Sequence, residues 1–179
     1  LMAHQYCLYD TLLHVPLIVR GPGVEPGVRD GLVELRDLYE TLLETAGLET
    51  EIPAERDIRG HPDRDAIAAE YWTPPCPTSE LRADYGELPE RVQQFDRGLQ
   101  AVRTRDWKLI RGTDESCRLY DVTADPDEQR DVSESNPDVV EDLTETIETR
   151  FDPITVEASR TDPDVSPVIS SRLEDLGYI

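Results

Sequence analysis

LMAHQYCLYDTLLHVPLIVR, residues 1–20, contains a short, continuously apolar run, Val15–Val19, with Pro16 near its start and Gly21-Pro22-Gly23 close behind it. A short apolar run bounded by turn residues is the pattern of a strand buried on both faces within a sheet. Downstream, Leu32, Leu35, Leu38, Tyr39, Leu42, Leu43 and Ala46 recur at steps of three and four, with Asp30 near the start and Gly47 just past the end. This spacing predicts an amphipathic helix capped at both ends. One strand followed by one covering helix is half of a βαβ unit. Residues 1–50 therefore read as the end of a larger α/β domain, and the other strands of that sheet are expected to lie outside this sequence.

From Glu49 to about Arg97 the periodicity breaks down around Pro74, Pro75 and Pro77, and only Ala66–Trp72 reads as a strand. Residues 51–98 are thus expected to form a loop-rich connection. Leu99–Arg111 and Cys117–Val122 are two runs rich in β-branched and aromatic residues, separated by Gly112-Thr113-Asp114-Glu115-Ser116. That is hairpin spacing and predicts a small antiparallel sheet. A last helix is predicted from Asn136, a capping residue, with Pro137 in the first turn and Val139, Val140, Leu143, Ile147 and Phe151 on one face. Packed on the sheet, it would complete a small α+β subdomain over residues 99–179. No internal repeat is present.

The charge balance is extreme. There are 39 acidic and 18 basic residues among 179, a formal net charge of -21 and a pI near 4.3. Lys108 is the one lysine, and every other basic side chain is arginine. Such a surface fits a protein that stays hydrated in very high salt, where screening shortens charge repulsion to a few Å. A halophilic source is one reading and a mesophilic acidic protein the other. Nucleic acid is not an expected partner, because phosphate binding needs clustered Lys and Arg. No apolar run approaches bilayer-spanning length, so no membrane is expected either. Cys7, Cys76 and Cys117 show no Cys-x-x-Cys spacing, which points away from a disulfide framework or zinc knuckle and toward a reduced, cytoplasmic setting.

Several stretches, in order, carry a family resemblance: His4-Gln5-Tyr6-Cys7-Leu8-Tyr9-Asp10, His14–Val19 and Gly21-Pro22-Gly23; DGLVELRDLYETLLETAG at 30–47; AVRTRDWKLIRG at 101–112; RLYDVTADPDEQRDV at 118–132; and RLEDLGYI at 172–179. The chain resembles the C-terminal part of type I sulfatases of the alkaline-phosphatase-like superfamily. The resemblance implies an α/β fold whose C-terminal portion holds one sheet strand, its covering helix and a small antiparallel sheet packed with a helix. It also implies sulfuric ester hydrolysis of a small sulfated substrate. In that chemistry a cysteine in a Cys-x-Pro-x-Arg context, oxidised to formylglycine, attacks sulfur, and carboxylates hold a calcium ion against the sulfate oxygens.

In the family the nucleophile and most metal ligands precede the point matching Leu1. None of Cys7, Cys76 and Cys117 is followed by Pro-x-Arg. No catalytic residue and no calcium ligand is therefore assigned here, and the chain by itself is expected to be inactive without the missing N-terminal portion as its partner. Many members place a sulfate-contacting lysine a few residues before the pair matching Tyr9-Asp10. That position is Gln5, beside His4, so His4 and Gln5 are the candidate substrate-binding residues, although neither is a fixed cation. His14 reads as structural, near the sheet edge, and His61 as a loop residue. Asp121, Asp125, Asp127, Glu128 and Asp131 lack calcium-loop spacing and read as a solvated acidic turn. Trp107 reads as packing, Lys108 as an exposed tip, and Arg103 and Arg105 as partners of nearby acids. Two alternatives stand beside the sulfatase reading: a non-catalytic remnant or acidic interaction domain, and a phosphodiesterase or phosphonate hydrolase relative. Uncovered, Val15–Val19 would expose both faces and favour aggregation at low salt or pairing with a partner.

Overall fold

The computed structural model describes residues 6–48, 56–60, 64–72, 82–83, 85–89, 92 and 95–152. A four-residue helix α1 (Asp10–Leu13) and helix α2 (Leu35–Thr45) precede strands β1 (Ala66–Tyr71), β2 (Leu99–Thr104), β3 (Trp107–Gly112) and β4 (Cys117–Asp121). A 3-10 turn (Ser133–Ser135) and helix α3 (Pro137–Arg150) follow. The four strands form one antiparallel meander in chain order, β1-β2-β3-β4. The expected small antiparallel sheet is present and larger than predicted. Leu99–Arg111 is two strands rather than one, because Arg105-Asp106 turns the chain and pairs Arg103 with Lys108. Thr104 holds that turn by accepting the Trp107 N–H at 3.0 Å. Ala66–Tyr71, read from the sequence inside the loop-rich connection, joins the same sheet by pairing with β2.

Side-chain ends crowd Gly112 in the β3–β4 turn, and a larger residue there would require the Asp114 and Ser116 side chains to move. A Cβ there would lie 2.3 Å from Asp114 Oδ1 and 2.5 Å from Ser116 Oγ, closer than any packed carbon. Beyond β4, Val132 donates its N–H to the Leu119 carbonyl at 2.9 Å, and Leu119 donates to Asp131 Oδ1 at 3.1 Å. The following segment thus covers the outer edge of β4, an edge that would otherwise template foreign strands.

Period-2 alternation divides the sheet's side chains between two faces. On one face Leu99, Ala101, Ile110 and Tyr120 bury with Leu8 and Val122. On the other, Ala66, Val102, Leu109 and Leu119 bury with Leu143 and Ile147 of α3, and Val139, Val140 and Phe151 pack around them. Helix α3 therefore presents the predicted stripe to the sheet. Pro137 occupies its first turn, but Asn136 does not cap by its side chain, whose Nδ2 donates to the Val132 carbonyl at 2.9 Å. Each fully buried aliphatic side chain here contributes about 1.5–3 kcal/mol of burial free energy.

The first part of the chain departs from expectation. Helix α2 forms and ends at Gly47, whose φ of 77° is the left-handed conformation glycine supplies. Its start is set by Glu34 in place of Asp30. Glu34 and Asp37 form a reciprocal capping box, with the Glu34 N–H donating to Asp37 Oδ2 at 2.8 Å. The buried face of this helix is its polar one, with Asp37 0% and Thr41 4% exposed, while Leu35, Tyr39 and Leu42 are 66–69% exposed. Asp37 is held by Arg64 at 2.9 Å and Arg56 at 3.2 Å, and Glu34 Oε1 accepts the Ala68 N–H of β1 at 2.8 Å. Val15–Val19 has no ladder pairing and is exposed, Ile18 at 94%. The buried strand predicted there does not form among the described residues, since no described strand edge pairs with it and a strand exists only through such pairing.

Candidate functional site

The chain leads from its first residues onto one face of the sheet through Leu8, which is 4% exposed and part of the core cluster. The next two residues are gripped by side chains from β2, β3, β4 and the turn after β4. Tyr9 lies edge-on to Tyr120 with ring centroids 5.9 Å apart, and its hydroxyl accepts from Arg118 Nη1 at 2.9 Å. Burial, with Tyr9 beside it, pushes the Tyr120 phenol well above its ordinary value and keeps it neutral. The Arg118 guanidinium is raised mainly by its proximity to Tyr9.

Asp10 opens α1 and meets the one lysine of the chain. Lys108 Nζ lies 2.6 Å from Asp10 Oδ1 and 2.8 Å from Glu128 Oε1, and Arg103 Nε donates to Asp10 Oδ2 at 3.3 Å. The Asp10 backbone N–H donates to Glu128 Oε2 at 2.5 Å. The same two residues, 10 and 128, are thus joined both directly and through the ammonium. Burial raises the Asp10 carboxyl, but the hydrogen bonds and charges of Lys108 and Arg103 outweigh it and hold the group below its usual range. Lys108 is 0% and Glu128 6% exposed, so the expected exposed tip and solvated acid are both buried. Alternation explains Lys108: it shares a sheet face with Ile110 and, across the ladder, with Arg103, and that face is covered by residues 8–10. Glu128 adopts φ 52°, a left-handed conformation costing a non-glycine residue roughly 1–2 kcal/mol, which aims its carboxylate inward.

The remaining acids of this stretch behave as turn residues, as expected. Asp121 Oδ1 accepts the N–H groups of Thr123 and Ala124 at 3.1 and 3.0 Å, Asp125 accepts that of Arg130 at 2.7 Å, and Asp131 that of Ser133 at 3.0 Å. Arg103 pairs with an acid as predicted, whereas Arg105 is exposed. His14 is not packed at a sheet edge; it ends α1 with its side chain exposed and its N–H donating to the Asp10 carbonyl. His4, Gln5, His61, Cys76 and the terminal stretch 172–179 lie outside the described residues.

Beside Tyr9 a cavity of about 210 Å³ opens against the sheet, lined by Tyr6, Tyr9, Phe95, Arg97, Ser116 and Arg118 among others. Tyr6 and Phe95 stack edge-on with centroids 5.9 Å apart. Arg97 is braced by Asp114 at 2.6 Å and Ser116 at 2.7 Å. The lining is largely apolar, with Leu8, Leu99 and Ile110 beside the aromatic rings, and its two arginines are already engaged, Arg97 by Asp114 and Arg118 by the Tyr9 hydroxyl.

The site does not fit a calcium ion. Its two inward carboxylates, Asp10 and Glu128, are already compensated by Lys108 and Arg103, and a divalent cation would have to displace a buried ammonium. Among the described residues no group of three or more His, Cys, Asp or Glu is arranged to hold a metal. Among them also, no helix is long and apolar enough to cross a membrane.

Residues 4–155 match the family model of the N-sulphoglucosamine sulphohydrolase C-terminal domain. Human arylsulfatase K is 26% identical over 144 residues, covering 78% of this chain and 26% of that protein. Gallus gallus arylsulfatase K is 29% identical over 149 residues, covering 78% of this chain and 26% of its own length. The chain therefore spans about a quarter of the curated relatives it matches. Among solved structures, the phosphonate monoester hydrolase of Agrobacterium radiobacter aligns with a TM-score of 0.44 at 21% identity, covering 63% of this chain and 23% of that one. With most of its length matched to that family model, the chain belongs to the sulfatase C-terminal domain family.

Proposed function

We propose that this chain serves as the C-terminal part of a sulfuric ester hydrolase with an alkaline-phosphatase-like main domain, and that it is inactive until joined to the portion carrying the nucleophile. The observation that carries the reading is the family match across residues 4–155. A second observation supports the missing partner: Ile18, Val28, Leu35, Tyr39 and Leu42 are 66–94% exposed, a large apolar area for so acidic a chain. In this proposal residues 1–50 complete the main α/β domain and cover those side chains against its sheet. Residues 99–179 form the small subdomain, and 51–98 connect the two while lending β1 to its sheet. His4 and Gln5 reach the sulfate of a small sulfated substrate, His4 as a donor when protonated and Gln5 as a neutral one. The cavity between Arg97 and Arg118 receives the rest of the substrate. Calcium, whose charge would neutralise the sulfate oxygens, is held by residues of the other portion. The setting is a reduced, high-salt cytoplasm.

The test is hydrolysis of an aryl sulfate in molar KCl with calcium, by the chain alone and by the chain joined to its upstream coding sequence. Turnover in the joined protein only is the expected result. Turnover in neither would favour a non-catalytic domain or a different ester, and turnover by the chain alone would overturn the proposal.

A further inference from the structure

The cavity of about 210 Å³ has walls from two parts of the chain far apart in sequence: residues 6–9 on one side, and residues of β2, β3 and β4 with Phe95 and Arg97 on the other. Leu8, Leu99 and Ile110 line it and belong to the buried cluster of that sheet face, and Tyr6, Tyr9 and Phe95 add three aromatic rings. Tyr6 meets Phe95 edge-on, as Tyr9 meets Tyr120, with interplanar angles of 64° and 71°. Aromatic rings prefer this arrangement, so the lining offers one more ring the contacts it favours. A cavity of roughly 150 Å³ lined by Leu, Ile and Phe holds one benzene ring, and the space here suffices for a ring with a small substituent. Burial pushes the Tyr71 phenol, packed on the same cluster, up to about 12, which marks this face as poorly hydrated.

Neither arginine calls for an anionic ligand. Arg97 is matched by Asp114 at 2.6 Å. Arg118 donates to the Tyr9 hydroxyl at 2.9 Å, and its charge helps to hold the Asp131 carboxyl below its usual range. A charged group entering the cavity would lose its hydration and have to displace these partners.

We propose that this cavity binds a single uncharged aromatic ring, and that in the joined protein the ring is the aryl part of the ester's alcohol. The second clause deepens the sulfatase reading and rests on it. Ring binding is a property of the 179-residue chain.

Cys7 lines the cavity, Cys117 packs against the opposite face of the sheet, and both thiols are free. In the chain itself, in molar KCl, alkylation by iodoacetamide followed peptide by peptide reports each separately. Phenol is the probe. For so small a ligand a Kd of about 1 mM is expected, so phenol at about 10 mM should slow labelling of Cys7 about tenfold and leave Cys117 within about twofold. Unchanged Cys7, or both thiols slowing together, would overturn the site. Benzoate and cyclohexanol are expected to protect at least about threefold less well than phenol. Equal protection by benzoate would overturn the uncharged ring, and equal protection by cyclohexanol the aromatic one. Ile110→Phe, which adds a ring to the lining, is expected to abolish protection by phenol, and full protection in a folded variant would place the ring elsewhere. Should that variant fold poorly, the wild-type arms still decide. In the joined protein, phenol at about 10 mM is expected to raise the apparent KM for an aryl sulfate about tenfold at unchanged kcat. Inhibition that does not compete with the ester would remove the second clause, as would a Cys7 that phenol protects only in the separate chain. If the joined protein shows no turnover, the sulfatase reading falls, and the labelling result still decides whether the cavity binds a ring.

Discussion

Helix α3 and helix α2 are built from similar patterns and use them in opposite senses. In α3, Leu143 and Ile147 are buried against Val102, Leu109 and Leu119 of the sheet. In α2 the equivalent stripe, Leu35, Tyr39 and Leu42, faces outward, and Asp37 and Thr41 point in. The difference teaches that amphipathicity says only that a helix has two faces. Which one turns inward depends on what lies beside it. Beside α3 is an apolar sheet face; beside α2 are Arg56 and Arg64, which reward a carboxylate.

The sharpest break of this contrast is at Lys108, a charge buried as deeply as any aliphatic residue. Lys108→Met leaves Asp10 with Arg103 alone and Glu128 without its cation, and is expected to cost about 3–5 kcal/mol, read as a shift in denaturant midpoint at constant slope. Next in size, Ile147→Ala, on the buried stripe of α3, is expected to cost about 2–5 kcal/mol. The matching change on α2, Leu35→Ala, is expected to stay within about 0.5 kcal/mol in the chain alone. Equal losses at the two positions in chemical unfolding would mean that α2 hides its stripe after all. In the joined protein, where the proposal has the stripe covered, Leu35→Ala is expected to lose more than in the chain alone.

A smaller effect concerns pH. Asp10, Asp57, Asp114 and Asp131 all sit below their ordinary carboxylate value. A depressed folded-state pKa contributes stability that is present above the unfolded value and lost as pH falls through the folded one. The chain is therefore expected to weaken as pH drops below about 4, and Asp10→Asn to flatten that decline, as acid titration of the melting temperature would read out. The smallest effect is at Glu115, with φ 63° in the β3–β4 turn. Glu115→Gly relieves a left-handed conformation there and is expected to raise stability by about 1 kcal/mol or less.

Much of the fold around residues 99–150 was legible in the sequence, because alternation and the 139-140-143-147-151 spacing report directly on burial when both faces of a sheet are covered. Leu99–Arg111 was read as one strand because Arg105-Asp106 is a two-residue turn without glycine or proline, the usual punctuation. The candidate site was legible only in part. Tyr9-Asp10 was recognisable by resemblance, yet the acids of 121–131 gave no hint that Glu128 differs from its neighbours. The available signal was Lys108 itself, a lone lysine among arginines, flanked by Trp107 and Leu109 in a strand. Arginine's planar fork needs more room than a compact ammonium, which a buried position between two carboxylates can accommodate.

By itself, then, the sequence determined the elements whose period is internal to them: strands 66–71 and 117–121, the helix after Pro137, the stop at Gly47, and a charge balance that sets solubility rather than fold. Tertiary structure alone decided which face of α2 is inside, that Val15–Val19 finds no strand edge among the described residues, and that Asp10, Lys108 and Glu128 meet. Those outcomes depend on neighbours up to 118 residues away along the chain, and local pattern carries no information about a partner at that distance.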